Sequence, residues 1–256
     1  MSKTDIYEDK TFFGDYLEST SEKDFFAEAL AKRIKQTNAK TLLDIGCFDG
    51  TLTKKVALKA YELGSPLDHI TAIEPAAAPL KEMQNSLANM PAGTKWDLIN
   101  SNMDNFLNSN KNTFDWVIAS HSLYWMNNVS ENINSISKLG KNGAIVMRDP
   151  GVLHQIEIKY RPLMTKKVKT FYSSADVVEE LNTLNVAHTV QSFSATMNVT
   201  APDTSQFKQL AGFLLDLTLD EIDPQYLESL HKELNVKNGK SSYGIDIIWI
   251  GETVSS

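Results

Sequence analysis

Short apolar runs alternate with helical stretches through the first 150 residues, and this alternation constrains the fold more than any other feature of the chain. Residues 41–46 (TLLDIG), His69 to Glu74 (HITAIE), Trp96 to Asn100 (WDLIN), Phe114 to Ser120 (FDWVIAS) and Ala144 to Met147 read as strands. Helical patterns over 51–63, 77–89 and 129–139 lie among them. Continuous apolar strands separated by helices indicate parallel strands, covered on both faces, in βαβ units. The expected fold class is therefore α/β with a Rossmann-like sheet. Such open sheets bind ligands at the carboxyl ends of their strands, so function is to be read in the residues that follow each strand.

Bulk properties narrow the partners. The 256 residues allow one large α/β domain with a substantial core. A net charge of −7 repels a phosphate backbone, so the expected partner is a small molecule and not nucleic acid. Cys47 is the single cysteine, which fits a reducing cytoplasm. The polar start Met1 to Asp5 does not read as a signal peptide. No run approaches the roughly 20 apolar residues needed to span a bilayer, so no membrane role is expected. Monomer and homodimer remain equally open.

The first strand runs into Asp44-Ile45-Gly46-Cys47-Phe48-Asp49-Gly50, and a helix opens at Thr51. Gly46 permits a tight turn, and Gly50 at the helix start permits close approach of a ligand to the backbone. The G-x-G-x-x-G of dinucleotide sites is missing, which counts against a nicotinamide dehydrogenase. Asp44 and Asp49 flank the turn; they repel a pyrophosphate and suit a cationic ligand. A purely structural turn is the competing reading. The second strand ends in Glu74, placed to accept both hydroxyls of a ribose. Together the two tips indicate a nucleoside that carries positive charge, as S-adenosylmethionine does.

The set LLDIGCFDG, ITAIEP, INSNMDNF, FDWVIASHSLYWMNN and LGKNGAIVMRDPG resembles the ordered motifs of class I methyltransferases across about 110 residues. The resemblance implies S-adenosylmethionine as cofactor. It implies that Gly46, Cys47 and Gly50, beside Asp44, cradle the methionine part and that Glu74 holds the ribose. It places Asn102 and Met103 at the adenine and Ser120 at the mouth of the acceptor site. One departure is Phe48, where that family commonly has glycine.

A looser resemblance covers nearly the whole chain. Phe13 to Ala27 (FGDYLESTSEKDFFA) is similar to the N-terminal helical lid of the histamine N-methyltransferase family. After residue 150, FYSSADVVEELNTLNV reads as a helix capped by Ser173 or Ser174. A strand over 188–197, helices over 204–217 and 223–233, and a last strand in YGIDIIWIGE follow. This implies a seven-stranded sheet with an N-terminal lid and a helical insertion before the last strand. The expected organisation is one domain over 1–256: lid and first helix to 38, cofactor core over 39–150, acceptor side over 151–256.

By the same resemblance the amine-binding acid falls on Glu22; a first-turn acid that favours the helix dipole is an equal reading. Two family amides fall on His121 and Tyr243, so histamine itself is not supported as substrate. His121, following Ser120, suits a general base or a clamp, with a capping role as the alternative. No metal-ligand spacing appears among the histidines. Tyr16 and Tyr124, with Phe12, Phe13 and Trp125, are aromatics that can enclose a cation, although Tyr124 and Trp125 also read as core. Phe25 and Phe26 read as packing residues. In the MRDPG stretch Asp149 suits a cationic acceptor and Arg148 a carboxylate.

The expected function is methyl transfer to a small amine or heteroaromatic nitrogen, with His121 and Glu22 as catalytic residues. The acceptor is expected to touch Tyr16, Glu22, His121, Tyr124, Asp149 and Tyr243. The alternatives are an O- or carboxyl-methyltransferase and a non-catalytic cofactor-binding protein of the same fold.

Overall fold

The computed structural model describes Tyr16 and residues 19–126, 128–164, 170–215 and 217–251. Of the expected lid, residues 1–15, 17 and 18 lie outside the described residues, and Phe12 and Phe13 with them.

The core alternates as the apolar runs require: α1 (Glu22–Thr37), β1 (Thr41–Ile45), α2 (Thr51–Glu62), β2 (His69–Glu74), α3 (Ala77–Ser86), β3 (Lys95–Asn100), α4 (Met103–Ser109), β4 (Phe114–Ser120), α5 (Val129–Leu139) and β5 (Gly140–Arg148). Then come α6 (Val152–Tyr160), α7 (Ser174–Thr183), β6 (His188–Asn198), α8 (Ser205–Leu215), α9 (Pro224–Glu233) and β7 (Lys240–Gly251). The seven strands form one sheet in the order β3-β2-β1-β4-β5-β7-β6. β1 to β5 pair in parallel, and β7 runs antiparallel between β5 and β6.

Alternation of side chains along β1 builds the two layers. Leu42 packs with Phe26 of α1 and Val56 of α2, whereas Leu43 and Ile45 pack with Ile133 and Ile136 of α5. All three β1 side chains are at most 1% exposed, which stabilises the fold by roughly 1.5–3 kcal/mol each. The chain leaves β1 for β2 and β3 on one side, then returns to place β4 against β1 on the other. That reversal opens a crevice above the ends of β1 and β4.

The later half carries the expected insertion: α8 and α9 lie between β6 and β7. Ser173, not Ser174, caps α7; its N–H and hydroxyl both donate to the Asp176 carboxylate, at 2.6 and 2.7 Å. The Ser174 hydroxyl instead donates to Asp246 of β7. Phe26 is buried, as its packing role requires, but Phe25 is 46% exposed and stacks on Phe193 of β6. No helix among the described residues is long and apolar enough to cross a membrane.

Candidate active site

A cavity of about 430 Å³ opens where the topology predicts, within the roughly 300–1,000 Å³ typical of small-molecule sites. The ends of β1, β2, β3 and β4 wall one side of it through Gly46, Glu74, Asn102 and Ser120. α1 contributes Glu22 and Lys23, the insertion contributes Phe213, and Tyr16 joins the lining.

The β1 turn is built on β2. Gly46 and Cys47 both donate their N–H to the Ile73 carbonyl, at 2.9 and 3.2 Å. Gly46 has φ +75, and a Cβ there would come within 2.5 Å of Ser122 Cβ, so glycine is required. Glu74 fastens the loop from the other side. Its Oε2 accepts the Phe48 N–H and its Oε1 accepts the Ala76 N–H, both at 2.9 Å. Asn102 Oδ1 caps α4 by accepting the Asn105 N–H, and Met103 beside it is buried. Asp44 is buried and accepts the Thr53 hydroxyl. Burial pushes the Cys47 thiol well above its ordinary range, which makes it a packing group of the turn and not a nucleophile.

Six non-glycine residues among those described adopt the left-handed backbone region, and four of them are asparagines. The other two are Phe48 (φ 52) and His121 (φ 54), at the tips of β1 and β4, and both face the cavity. Strain held at two cavity positions points to function there. At Phe48 the backbone keeps the conformation a glycine would adopt freely.

The methyltransferase-domain family model matches residues 19–192. The chain belongs to this family. The solved structures to which the methyltransferase is similar share its fold at low identity. A cyclopropane-fatty-acyl-phospholipid synthase-like protein from Lactobacillus casei superposes with a TM-score of 0.62, at 18% identity over 90% of each chain. A putative methyltransferase from Bacillus halodurans gives 0.56, at 11% identity over 86% of this chain and 96% of that one. Magnesium protoporphyrin IX methyltransferase from Synechocystis, with bound S-adenosylhomocysteine, gives 0.54, at 10% identity over 90% and 83%. No curated protein matches the methyltransferase in sequence.

In the cavity the methyltransferase holds a buried carboxylate against an imidazole. Glu22 Oε1 lies 3.5 Å from His121 Nε2, an ion-pair distance without hydrogen-bond geometry. Both imidazole nitrogens are buried and without a hydrogen-bond partner among the described residues. Tyr243 donates its hydroxyl to Glu22 Oε2 at 3.1 Å, and Thr20 and Tyr16 bond in turn to the Tyr243 oxygen. Burial works to raise the Glu22 carboxyl. The neighbouring His121, Lys23 and Arg148 outweigh it and hold the group below the usual carboxylate range. Aromatic faces surround it: Tyr16 stacks on Phe213 with centroids 4.3 Å apart, and His121 lies nearly parallel to Tyr124 at 5.9 Å.

Three residues expected at the site lie outside the cavity lining. Gly50 is outside the cavity lining; with φ +70, a Cβ there would strike the Met83 side chain at 2.4 Å, so its glycine lets α2 pack on α3 and does not admit a ligand. Asp149 is also outside the lining. Its carboxylate accepts the Gly151 N–H at 2.9 Å ahead of α6 and fills the space where a Gly244 side chain would stand. Tyr243 is outside the lining too and reaches it through hydrogen bonds to Glu22 and Tyr16. Arg148 lines the cavity as a buried ion pair with Glu157 of α6. Burial opposes its charge, but Glu157 holds the guanidinium protonated well above its ordinary range. Lys23, Phe213 and Glu157 were missed in the sequence. Glu157 sits among Leu153, Ile156 and Tyr160, which are buried at helical spacing, but its charge interrupts the apolar pattern. Among the described residues no group of three or more His, Cys, Asp or Glu is placed to hold a metal ion.

Proposed function

We propose that this S-adenosylmethionine-dependent methyltransferase acts on the nitrogen of a small amine or heteroaromatic acceptor. The observation that carries this reading is the Glu22–His121 pair, a buried charged acid facing an imidazole whose nitrogens make no hydrogen bond among the described residues. The cofactor, when bound, supplies a methyl carbon activated by its sulfonium. The protein's task is then alignment and the acceptor's proton. Glu22 and the aromatic rings of Tyr16, Tyr124 and Phe213 hold an ammonium. His121 takes the proton the nitrogen must lose before it attacks. Tyr243 is a positioning residue that orients Glu22.

The residues present fit the cofactor. Glu74 lines the cavity with a carboxylate that accepts the Phe48 and Ala76 N–H groups and can also accept ribose hydroxyls. Met103 offers an apolar surface and Asn102 a free amide N–H to an adenine, and Ser120 sits beside Glu22's half of the cavity. Gly46 and Cys47 supply the close-fitting turn, and Asp44 supplies a counter-charge for the ammonium of the amino-acid tail. The whole chain, 1–256, is read as one unit, with the lid-side resemblance to histamine N-methyltransferases resting on Glu22. Cys47, the single cysteine, supports a cytoplasmic setting.

Glu22→Gln keeps the shape and removes the charge. In a labelled-methyl assay over a panel of small amines, KM for the best acceptor is expected to rise roughly tenfold to a hundredfold. The Kd for S-adenosylhomocysteine should stay within about threefold. Parallel loss of cofactor affinity would assign Glu22 to the fold instead. Carboxyl methylation is the second reading: Arg148 Nε is buried in the lining without a hydrogen-bond partner among the described residues, and it can donate to a carboxylate. Methylation of acids by Glu22→Gln at the wild-type rate would favour it.

Asp44 predicts a pH dependence. Burial, reinforced by Glu74 and opposed by the Thr53 hydrogen bond and Lys23, pushes its carboxyl up to about 7. An ammonium bound beside it favours the ionised form, so binding below that pH releases a proton. Affinity for S-adenosylhomocysteine is expected to weaken by about tenfold per pH unit below 7 and to level off above it. Calorimetry between about pH 5.5 and 8 reads this directly, and a flat profile removes Asp44 from cofactor binding.

A further inference from the structure

The strand order gives the cavity two ends. Glu74 ends β2 and Asn102 follows β3 at one of them. At the other, His121 follows β4 and Arg148 ends β5. Neighbouring strands lie about 4.8 Å apart, so β5 is three strands, roughly 14 Å, from the strand that carries Glu74.

The second end has a continuous wall. Glu22 Oε1 lies 3.5 Å from His121 Nε2, the His121 ring is 5.9 Å from that of Tyr124, and the Arg148 guanidinium carbon is 5.8 Å from the same Tyr124 ring. A carboxylate and a guanidinium are thus linked through an imidazole and an aromatic face, in steps that one small molecule spans. Holding and deprotonating an amine engages Glu22, His121 and Tyr124, and leaves Arg148 without a task.

Arg148 has a donor to spare. The side chain is buried, and its Nη1 donates to Glu157. Its Nε is buried without a hydrogen-bond partner among the described residues. A guanidinium carries five donors in a planar fork that matches a carboxylate. A donor left unmatched in a cavity wall costs free energy until an acceptor reaches it.

We propose that the methyl acceptor is an amino acid, with its amino nitrogen at Glu22 and His121 and its carboxylate at Arg148. This acceptor class rests on the amine reading of the Glu22–His121 pair and adds a second anchor to it. The carboxylate is a handle, and the nitrogen is the site of transfer. His121 follows β4, which pairs with β1 and so lies beside its turn, whereas Arg148 is one strand farther away. In the transfer His121 takes a proton from the nitrogen, whose lone pair bonds the methyl carbon while the carbon–sulfur pair stays on sulfur. A zwitterion also brings no net charge to a wall that already holds Glu22 and Glu157.

A labelled-methyl assay offers matched acceptors: each common amino acid against its decarboxylated amine, and 4-aminobutyrate against propylamine. For the best pair, kcat/KM is expected to be roughly tenfold to a hundredfold higher with the carboxylate present. The double variant Arg148→Met, Glu157→Leu leaves no buried charge unpaired and should cut that preference to within about threefold. Calorimetry with S-adenosylhomocysteine shows whether the variant is folded. Should it not fold, Arg148→Lys keeps a cation beside Glu157, gives up the fork, and should lower the preference by at least about threefold. No preference in the wild type, or one that survives in the folded variant, overturns the proposal and leaves the amine reading standing. Alkali-labile methyl esters in place of N-methyl products, or methylation of neither member of any pair, overturns both.

Discussion

Glu74→Gln is expected to weaken S-adenosylhomocysteine binding by roughly a hundredfold to a thousandfold, a cost of about 3–4 kcal/mol. The substitution preserves shape but replaces one carboxylate oxygen by an NH2 group. Glu74 now uses one oxygen on Phe48 and the other on Ala76. Whichever way the amide turns, a donor meets a donor, and one of those N–H groups loses its acceptor. Turned against Phe48, it releases a loop whose left-handed backbone at that residue is held partly by this bond. Turned against Ala76, it loosens the turn into α3. In both cases the ribose hydroxyls lose charge-assisted acceptors, which contribute about 1.5–3 kcal/mol each where water is excluded. Calorimetry checks the result, and retention of near wild-type affinity would remove Glu74 from the cofactor site. Circular dichroism at matched temperature confirms that the variant is folded.

The largest effect on stability is expected at Glu157. This side chain is 1% exposed and pairs with Arg148, itself 4% exposed. Glu157→Ala leaves a guanidinium in the interior with its main counter-charge gone, and an arginine cannot shed its proton to relieve this. Breaking a buried pair from one side costs about 3–5 kcal/mol, which in a chain of this size lowers Tm on the order of 10 °C. The double variant Arg148→Met, Glu157→Leu removes both charges and fills the same space, so it should recover most of the loss. Urea unfolding of wild type, Arg148→Met, Glu157→Leu and the double variant gives the coupling energy. A single variant within about 1 kcal/mol of wild type would show the pair to be solvated. The double variant also removes Arg148 Nε from the cavity. Its activity toward amines therefore reports whether the guanidinium contributes anything to the acceptor beyond packing against Tyr124.

The pair also explains why α6 was not legible. Its inward positions are Leu153, Ile156, Glu157 and Tyr160, a helical stripe interrupted by a charge. Read locally, a glutamate in that stripe breaks the apolar pattern. Its partner lies on β5 and belongs to the tertiary structure. The strands of the cofactor half were readable for the opposite reason. β2 and β4 begin and end where their apolar runs do, because a parallel strand covered on both faces writes its burial into consecutive residues.

The glycines mark the same division. The sequence alone marked Gly46 for a tight turn and Gly50 for close approach of a ligand, and both adopt positive φ. Only the packing decided that Gly46 faces the cavity and Gly50 faces Met83, because a φ angle says nothing about which neighbour a missing Cβ makes room for. Likewise the alternation of apolar runs and helices determined the methyltransferase fold. Side chains such as Glu22, Lys23, His121 and Phe213 come from a helix, a loop and an insertion far apart in the chain. Their joint chemistry depends on distance and burial, and these exist only once α1 and the insertion have closed over the sheet.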